Sequence, residues 1–171
     1  MTAELDFPEF KDLAPEEFKA KANKIVDDIE EAIANRLVLV DLPVTHRFTP
    51  GLYIREIFMP AGVVLTSRTH KYEHPFVISK GVVSVWSLQE GAITYRAPHT
   101  GITQPGTRRV LLVHEDTVWT TFHTNDDEEC DPDDIVYRVT ESHDNPRMKS
   151  ALERRPENER ILLNQRQEAF V

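Results

Sequence analysis

The strongest constraint on the fold is the rhythm of the chain between Leu37 and about Thr124. Short runs rich in β-branched and aromatic residues alternate there with turns built from Gly, Pro and charged side chains. The runs are "RLVLVDL", "LYIREIFM", "VVLTSR", "PFVISK", "VVSVWSL", "AITYRA", "RRVLLV" and "TVWTTF". Parallel strands need crossover connections, commonly helices, and no long amphipathic helix separates these runs. The pattern therefore predicts eight short strands in an antiparallel barrel or sandwich.

The flanks read differently. In "APEEFKAKANKIVDDIEEAIANRL", Pro15 suits a first helical turn, Glu16 and Glu17 complement a helix N-terminus, and Phe18, Ala22, Ile25, Ile29 and Ile33 recur at helical spacing. That apolar stripe must pack on the barrel or on a second copy of the chain. After His123, the run "NDDEECDPDD" lacks the ligand spacing of an EF-hand and reads as a solvated loop leading into a helix. The rest predicts one or two helices with a frayed end. The expected divisions are a helical arm over 1–36, a barrel over 37–125, and an acidic loop with a helical tail over 126–171.

With 171 residues, 40% of them hydrophobic, the chain suits one domain. Its formal net charge of -9 repels phosphate backbones and anionic lipid, so neither a nucleic acid nor a membrane is expected as a partner. No apolar run approaches the roughly 18 residues of a membrane span, and "MTAELDFPEF" does not read as a signal peptide. Cys130 is the lone cysteine. It permits no intramolecular disulfide and sits among carboxylates, a poor setting for a nucleophilic thiolate. A soluble protein of a reducing compartment, the cytoplasm by default, is the expectation.

Chemistry concentrates in "THKYEHPFVISKG", where His70, Glu73 and His74 fall within five residues. Imidazole and carboxylate are common metal ligands. Pro75 and the run "FVIS" argue against a helix, so the two histidines can share a face only through strand and turn geometry.

The spacing resembles the first motif of the cupins, small jelly-roll β-barrels: a glycine, five residues, a histidine, one residue, a histidine, three or four residues, a glutamate, six residues and a glycine. Here Gly62, five residues, Arg68, Thr69, His70, three residues, His74, six residues and Gly81 follow that pattern. Arg68 stands at the first histidine position and His74 at that of the glutamate. The segment "PGTRRVLLVHEDTVW" looks like the second cupin motif, with Arg109 where a histidine would stand. The resemblance covers roughly residues 50–123.

It implies a mainly β, cupin-like jelly-roll barrel with an N-terminal helix and a helical C-terminal tail. It further implies a divalent metal (Fe, Mn, Ni or Zn) on His70 and His74. Guanidinium cannot ligate a metal, so a third protein ligand must come from elsewhere, His123 or, in second place, Glu73. Arg68 and Arg109, together with Glu73, become candidates for binding a small anionic substrate. The bland readings stand beside these: histidines satisfied by backbone, His123 facing solvent, and arginines paired with Glu73 or Asp116. Trp86, Trp119 and Phe122 are expected in the core or at a subunit interface. The segments "HKYEHPFVISKG", "PGTRRV" and "EDTVWTTFH" also resemble small cupin-like proteins of bacteriophages and prophages, whose setting would be the host cytoplasm. Exposed strand edges and helices suggest a homo-oligomer. A metal-dependent enzyme and a non-catalytic binding, assembly or virion module both remain open.

Overall fold

The computed structural model describes residues 13–38, 40 and 42–155. Helix α1 (Pro15–Arg36) precedes seven strands: β1 (Val44–Thr49), β2 (Gly51–Met59), β3 (Val64–Thr66), β4 (His74–Ser87), β5 (Gly91–Arg96), β6 (His99–Thr103) and β7 (Val110–Asn125). Helices α2 (Pro132–Val139) and α3 (Pro146–Glu153) follow. Every strand pairing is antiparallel. The frayed end expected after residue 155, like residues 1–12 of the arm, lies outside the described residues.

Two of the expected boundaries between strands are bends within long strands. "PFVISK" and "VVSVWSL" form the continuous β4, and "RRVLLV" and "TVWTTF" merge into β7. Each long strand contributes to two parts of the one seven-stranded sheet. The first halves of β4 and the second half of β7 join β6, β2 and β1 in one layer, while their other halves join β5 and β3 in a second. The β4–β7 register shifts between Ile78 and Val83, where the strands turn the corner from layer to layer. Gly81 sits in that corner with φ of 93°. A Cβ there would lie 2.4 Å from the Asp116 carbonyl oxygen. This is the pairing of a jelly-roll barrel, as expected.

Two further expectations change. Where a strand was expected over "RLVLVDL", Arg36 ends α1 and the described residues 37, 38, 40 and 42 belong to no strand, with Val38 88% exposed and Leu42 buried. Pairing begins only at Pro43, whose carbonyl accepts from Phe58 N. Conversely, β1 and β6 are strands made largely of polar residues. In β6, Gly101 lies opposite Phe76, whose ring occupies the space a side chain would need, with Cζ 2.5 Å from an added Cβ.

The core between the layers is built from residues such as Met59, Ile78, Val83, Val113 and Trp119. A smaller cluster forms where Ile135, Val136 and Val139 of α2 cover Tyr53. Asp131 caps α2 by accepting from Asp133 N, so the acidic run is the helix start that its composition suggested. Helix α1 packs on β3 and α3. Its deepest residues are Ala22, Val26, Glu30 and Ala34, whereas Phe18, Ile25, Ile29 and Ile33 of the expected stripe are only half-buried.

Candidate metal and ligand site

Three inward-facing histidines meet inside the barrel. His74 opens β4 and pairs with Thr103 of β6, and His123 pairs with Tyr53 of β2 near the end of β7. His70 comes from the loop after β3, tied down by a bridge to Thr140 and by Gly106 N donating to its carbonyl. Because strand side chains alternate, His74 and Phe76, Thr121 and His123, and Tyr53 and Arg55 all direct their side chains to one interior.

His70, His74 and His123 are 3–5% exposed. Their ring centroids are separated by 4.1, 4.4 and 5.5 Å, and one ligand nitrogen of each lies within 4.8 Å of the others. Burial, reinforced by the neighbouring imidazoles and by Arg109 and Arg55, brings His70 down to about 2. Burial likewise brings His74 to about 4 and His123 to about 3. All three are therefore neutral near pH 7, the form whose lone pair can bind a cation.

The donor set fits a metal. His70 Nδ1 is buried without a hydrogen-bond partner, which is costly for a polar atom unless something else occupies it. The Tyr72 carbonyl lies 3.4 Å from His74 Nδ1, and Thr121 Oγ1 lies 3.2 Å from His123 Nε2. Such contacts to one ring nitrogen orient the ring and leave the other for ligation.

Beside the cluster is a cavity of about 70 Å³. Arg55, Thr103, Arg109 and Thr121 line it together with His70 and His74, and Ile57, Met59, Leu65, Leu111 and Trp119 supply its apolar side. Arg109 donates to Thr103 Oγ1 at 2.8 Å and to Glu90 Oε2 at 3.1 Å, and its guanidinium lies 5.8 Å from the Phe76 ring centre. Its carboxylate partner is thus Glu90, neither Glu73 nor Asp116. Asp116 instead accepts from Ala61 N.

Most of the other residues singled out in the sequence lie away from the cavity. Arg68 is half-buried and lines a separate cleft with Glu30, Arg108 and Asn145. Glu73 is exposed. Trp119 is buried at the cavity, while Trp86 and Phe122 are half-buried. Sequence reasoning missed Arg55, 2% exposed on β2. The alternation of Tyr53, Arg55, Ile57 and Met59 held the signal, since all four share the inward face. It also missed Glu90, Thr103 and Thr121, whose roles depend on cross-strand neighbours.

No family model matches the chain, and no curated protein matches it. Several solved structures are similar in shape. A conserved protein with a double-stranded β-helix domain from Klebsiella pneumoniae has 11% identity, covers 58% of this chain and 90% of its own, and gives a TM-score of 0.45. A cupin domain from Bordetella pertussis has 13% identity, with coverage of 50% and 94% and a TM-score of 0.41. The DMSP lyase DddQ from Ruegeria pomeroyi has 12% identity, with coverage of 53% and 50% and a TM-score of 0.45. No described helix is long and apolar enough to cross a membrane.

Proposed function

We propose that this cupin-like barrel binds one divalent metal ion through His70, His74 and His123 and presents it to a small ligand in the adjoining cavity. The observation that carries the reading is the convergence of three buried, neutral imidazoles from separate segments, one with an orphaned ring nitrogen. Nitrogen donors suit Zn, Fe or Ni better than Mg or Ca. Three protein ligands leave coordination positions for water or a small molecule, as catalytic metal sites do. Bound there, a metal supplies Lewis acidity to whatever occupies those positions.

This chain's own residues supply the rest. Tyr72 and Thr121 orient imidazoles, and Arg109 is held in place by Glu90 and Thr103. Tyr53 and the apolar face of α2 cover the neighbourhood of His123, whose ring stacks on Tyr53 at 6.0 Å. Arg68 and Glu73 fall outside this site, and we assign the ligand contacts to the residues that line the cavity.

A second reading, a barrel that acts through its helices in an assembly, draws on the half-buried Ile25, Ile29 and Ile33 of α1. Light scattering on the purified chain tests it: a defined oligomer that Ile25→Ser and Ile29→Ser dissolve supports assembly through α1, and a monomer at all concentrations contradicts it. Metal loading is tested separately, by elemental analysis of the purified and reconstituted protein.

A further inference from the structure

Arg109 stands at the cavity as a firmly held group. Its backbone N donates to Ser67 Oγ at 3.0 Å, and its carbonyl accepts from Ser67 N at 2.9 Å. Both terminal nitrogens of its guanidinium are committed, one to Thr103 Oγ1 and the other to Glu90 Oε2, and the carboxylate of Glu90 balances its charge. The remaining nitrogen, Nε, is buried and has no hydrogen-bond partner, in a residue that is 4% exposed. A buried N–H without an acceptor is destabilising, and an oxygen lodged beside it removes that cost. What the cavity asks for at this point is an acceptor, not a charge.

The surroundings narrow the class of that acceptor. A second carboxylate brought to the same guanidinium would stand beside Glu90, where like charges repel. A cationic ligand is disfavoured as well, because Arg55 and Arg109 line the cavity and none of the described residues lining it is acidic. Much of the remaining wall is hydrocarbon or aromatic, from Ile57, Met59, Leu65, Leu111 and Trp119. The volume of about 70 Å³ is small beside the roughly 300–1,000 Å³ of sites that hold drug-sized ligands, so the molecule has only a few carbons. An uncharged carbonyl compound meets all of these conditions. Its oxygen accepts without bringing a proton that would itself need a buried partner, and its short alkyl groups suit the apolar wall.

We infer that the cavity takes a small uncharged carbonyl compound, a short ketone or aldehyde, whose oxygen accepts from Arg109 Nε and whose alkyl groups lie against Leu65, Leu111 and Trp119. The inference rests on the proposed function in one respect, that the small ligand presented to the metal occupies this cavity, which His70 and His74 also border. The contact to Arg109 needs no metal. Glu90 and Thr103 are its positioning residues: they hold the guanidinium by its terminal nitrogens and leave Nε to the ligand.

The test is titration of the full chain, chelator-treated and Zn²⁺-loaded, with 2-butanone, 2-butanol and propionate, followed by nuclear magnetic resonance, with zinc measured in each sample. The affinities are ranked in the chelator-treated protein, where no metal can attract the carboxylate. There 2-butanone should bind about fivefold tighter or more than either analogue, the effect of one hydrogen bond to a buried donor. Arg109→Lys, which keeps a cation beside Glu90 and removes Nε, should lose about fivefold or more in 2-butanone affinity. The same contact can be read without substitution: the Arg109 Nε–H resonance should shift and exchange more slowly when 2-butanone is added. That reading decides the matter if circular dichroism shows that Arg109→Lys does not fold. Unchanged affinity in the folded variant, an Nε–H resonance that 2-butanone does not move, or propionate binding as tightly as 2-butanone overturns the inference. Zinc retained without 2-butanone binding removes the inference and leaves the metal reading; 2-butanone held by Arg109 in protein that retains no zinc removes the metal reading and leaves the inference.

Discussion

Residue 81 has to be glycine for two independent reasons. Its φ of 93° is strained for any side chain, and an added Cβ would collide with backbone at Asp116 and Thr117, neither of which can swing aside. We expect Gly81→Ala to destabilise the protein by about 3 kcal/mol or more, read as a lowered midpoint in urea. The spacing of the sequence picked out this glycine, but as the end of a strand rather than a bend inside one. Local sequence shows that φ must be unusual without showing which strand lies 2.4 Å away. Arg55 teaches the complementary lesson. A search by ligand motif drew attention to Arg68, which follows the three-residue strand β3, where alternation stops informing side-chain direction. The alternation of β2 places Arg55 inward with no motif at all.

At the scale of elements, α1 is joined to the barrel by a buried polar hub. Arg108 donates to Asp27 Oδ1 at 2.8 Å and to Glu30 Oε1 at 2.6 Å, while Thr66 and Asn145 also donate to Glu30. Helix α1, the β3 strand and the N-cap of α3 thus meet at one carboxylate. Glu30→Ala takes from Arg108 one of its two carboxylates and leaves the Thr66 and Asn145 donors without their acceptor, so it should cost about 3 kcal/mol in denaturant unfolding. Arg108→Ala should cost a similar amount, and the double variant clearly less than the sum. The hub also explains why the expected stripe on α1 was displaced. Hydrophobic periodicity follows isoleucine and cannot anticipate that a glutamate is the buried member, because its partner Arg108 lies 78 residues away in sequence. Likewise β4 and β7 each looked like two strands because Gly81 and the charged run around Asp116 resemble turns.

For the molecule as a whole, the buried histidines link stability to pH. Unfolded, each imidazole titrates near 6.5; folded, the three are held at about 2, 4 and 3. Between those limits the unfolded chain binds more protons. Stability is therefore fully present above about pH 6.5 and falls as pH drops toward the folded values, by up to about 1.4 kcal/mol per unit for each imidazole. The metal-free protein should accordingly show a melting temperature that changes little between pH 7 and 8 and drops steeply below 6, with a shallower drop in His74→Ala. An equally shallow profile in the unsubstituted protein would contradict the burial of neutral imidazoles. The barrel and its flanking helices were legible from strand rhythm, turn residues and helical periodicity. The pairing of His70 and His74 with His123 was legible as a candidate set, because each histidine bordered a recognisable strand. The cavity was not, since it exists only where β2, β3, β4, β6 and β7 converge.

The most direct measurement is the metal content of protein purified without added metal and then reconstituted with a divalent ion, alongside His70→Ala, His74→Ala and His123→Ala. The unsubstituted chain should retain close to one equivalent after desalting, and each folded variant should fall well below it. Less than about one-tenth of an equivalent in the unsubstituted chain, or equal retention in all three variants, would contradict the metal site.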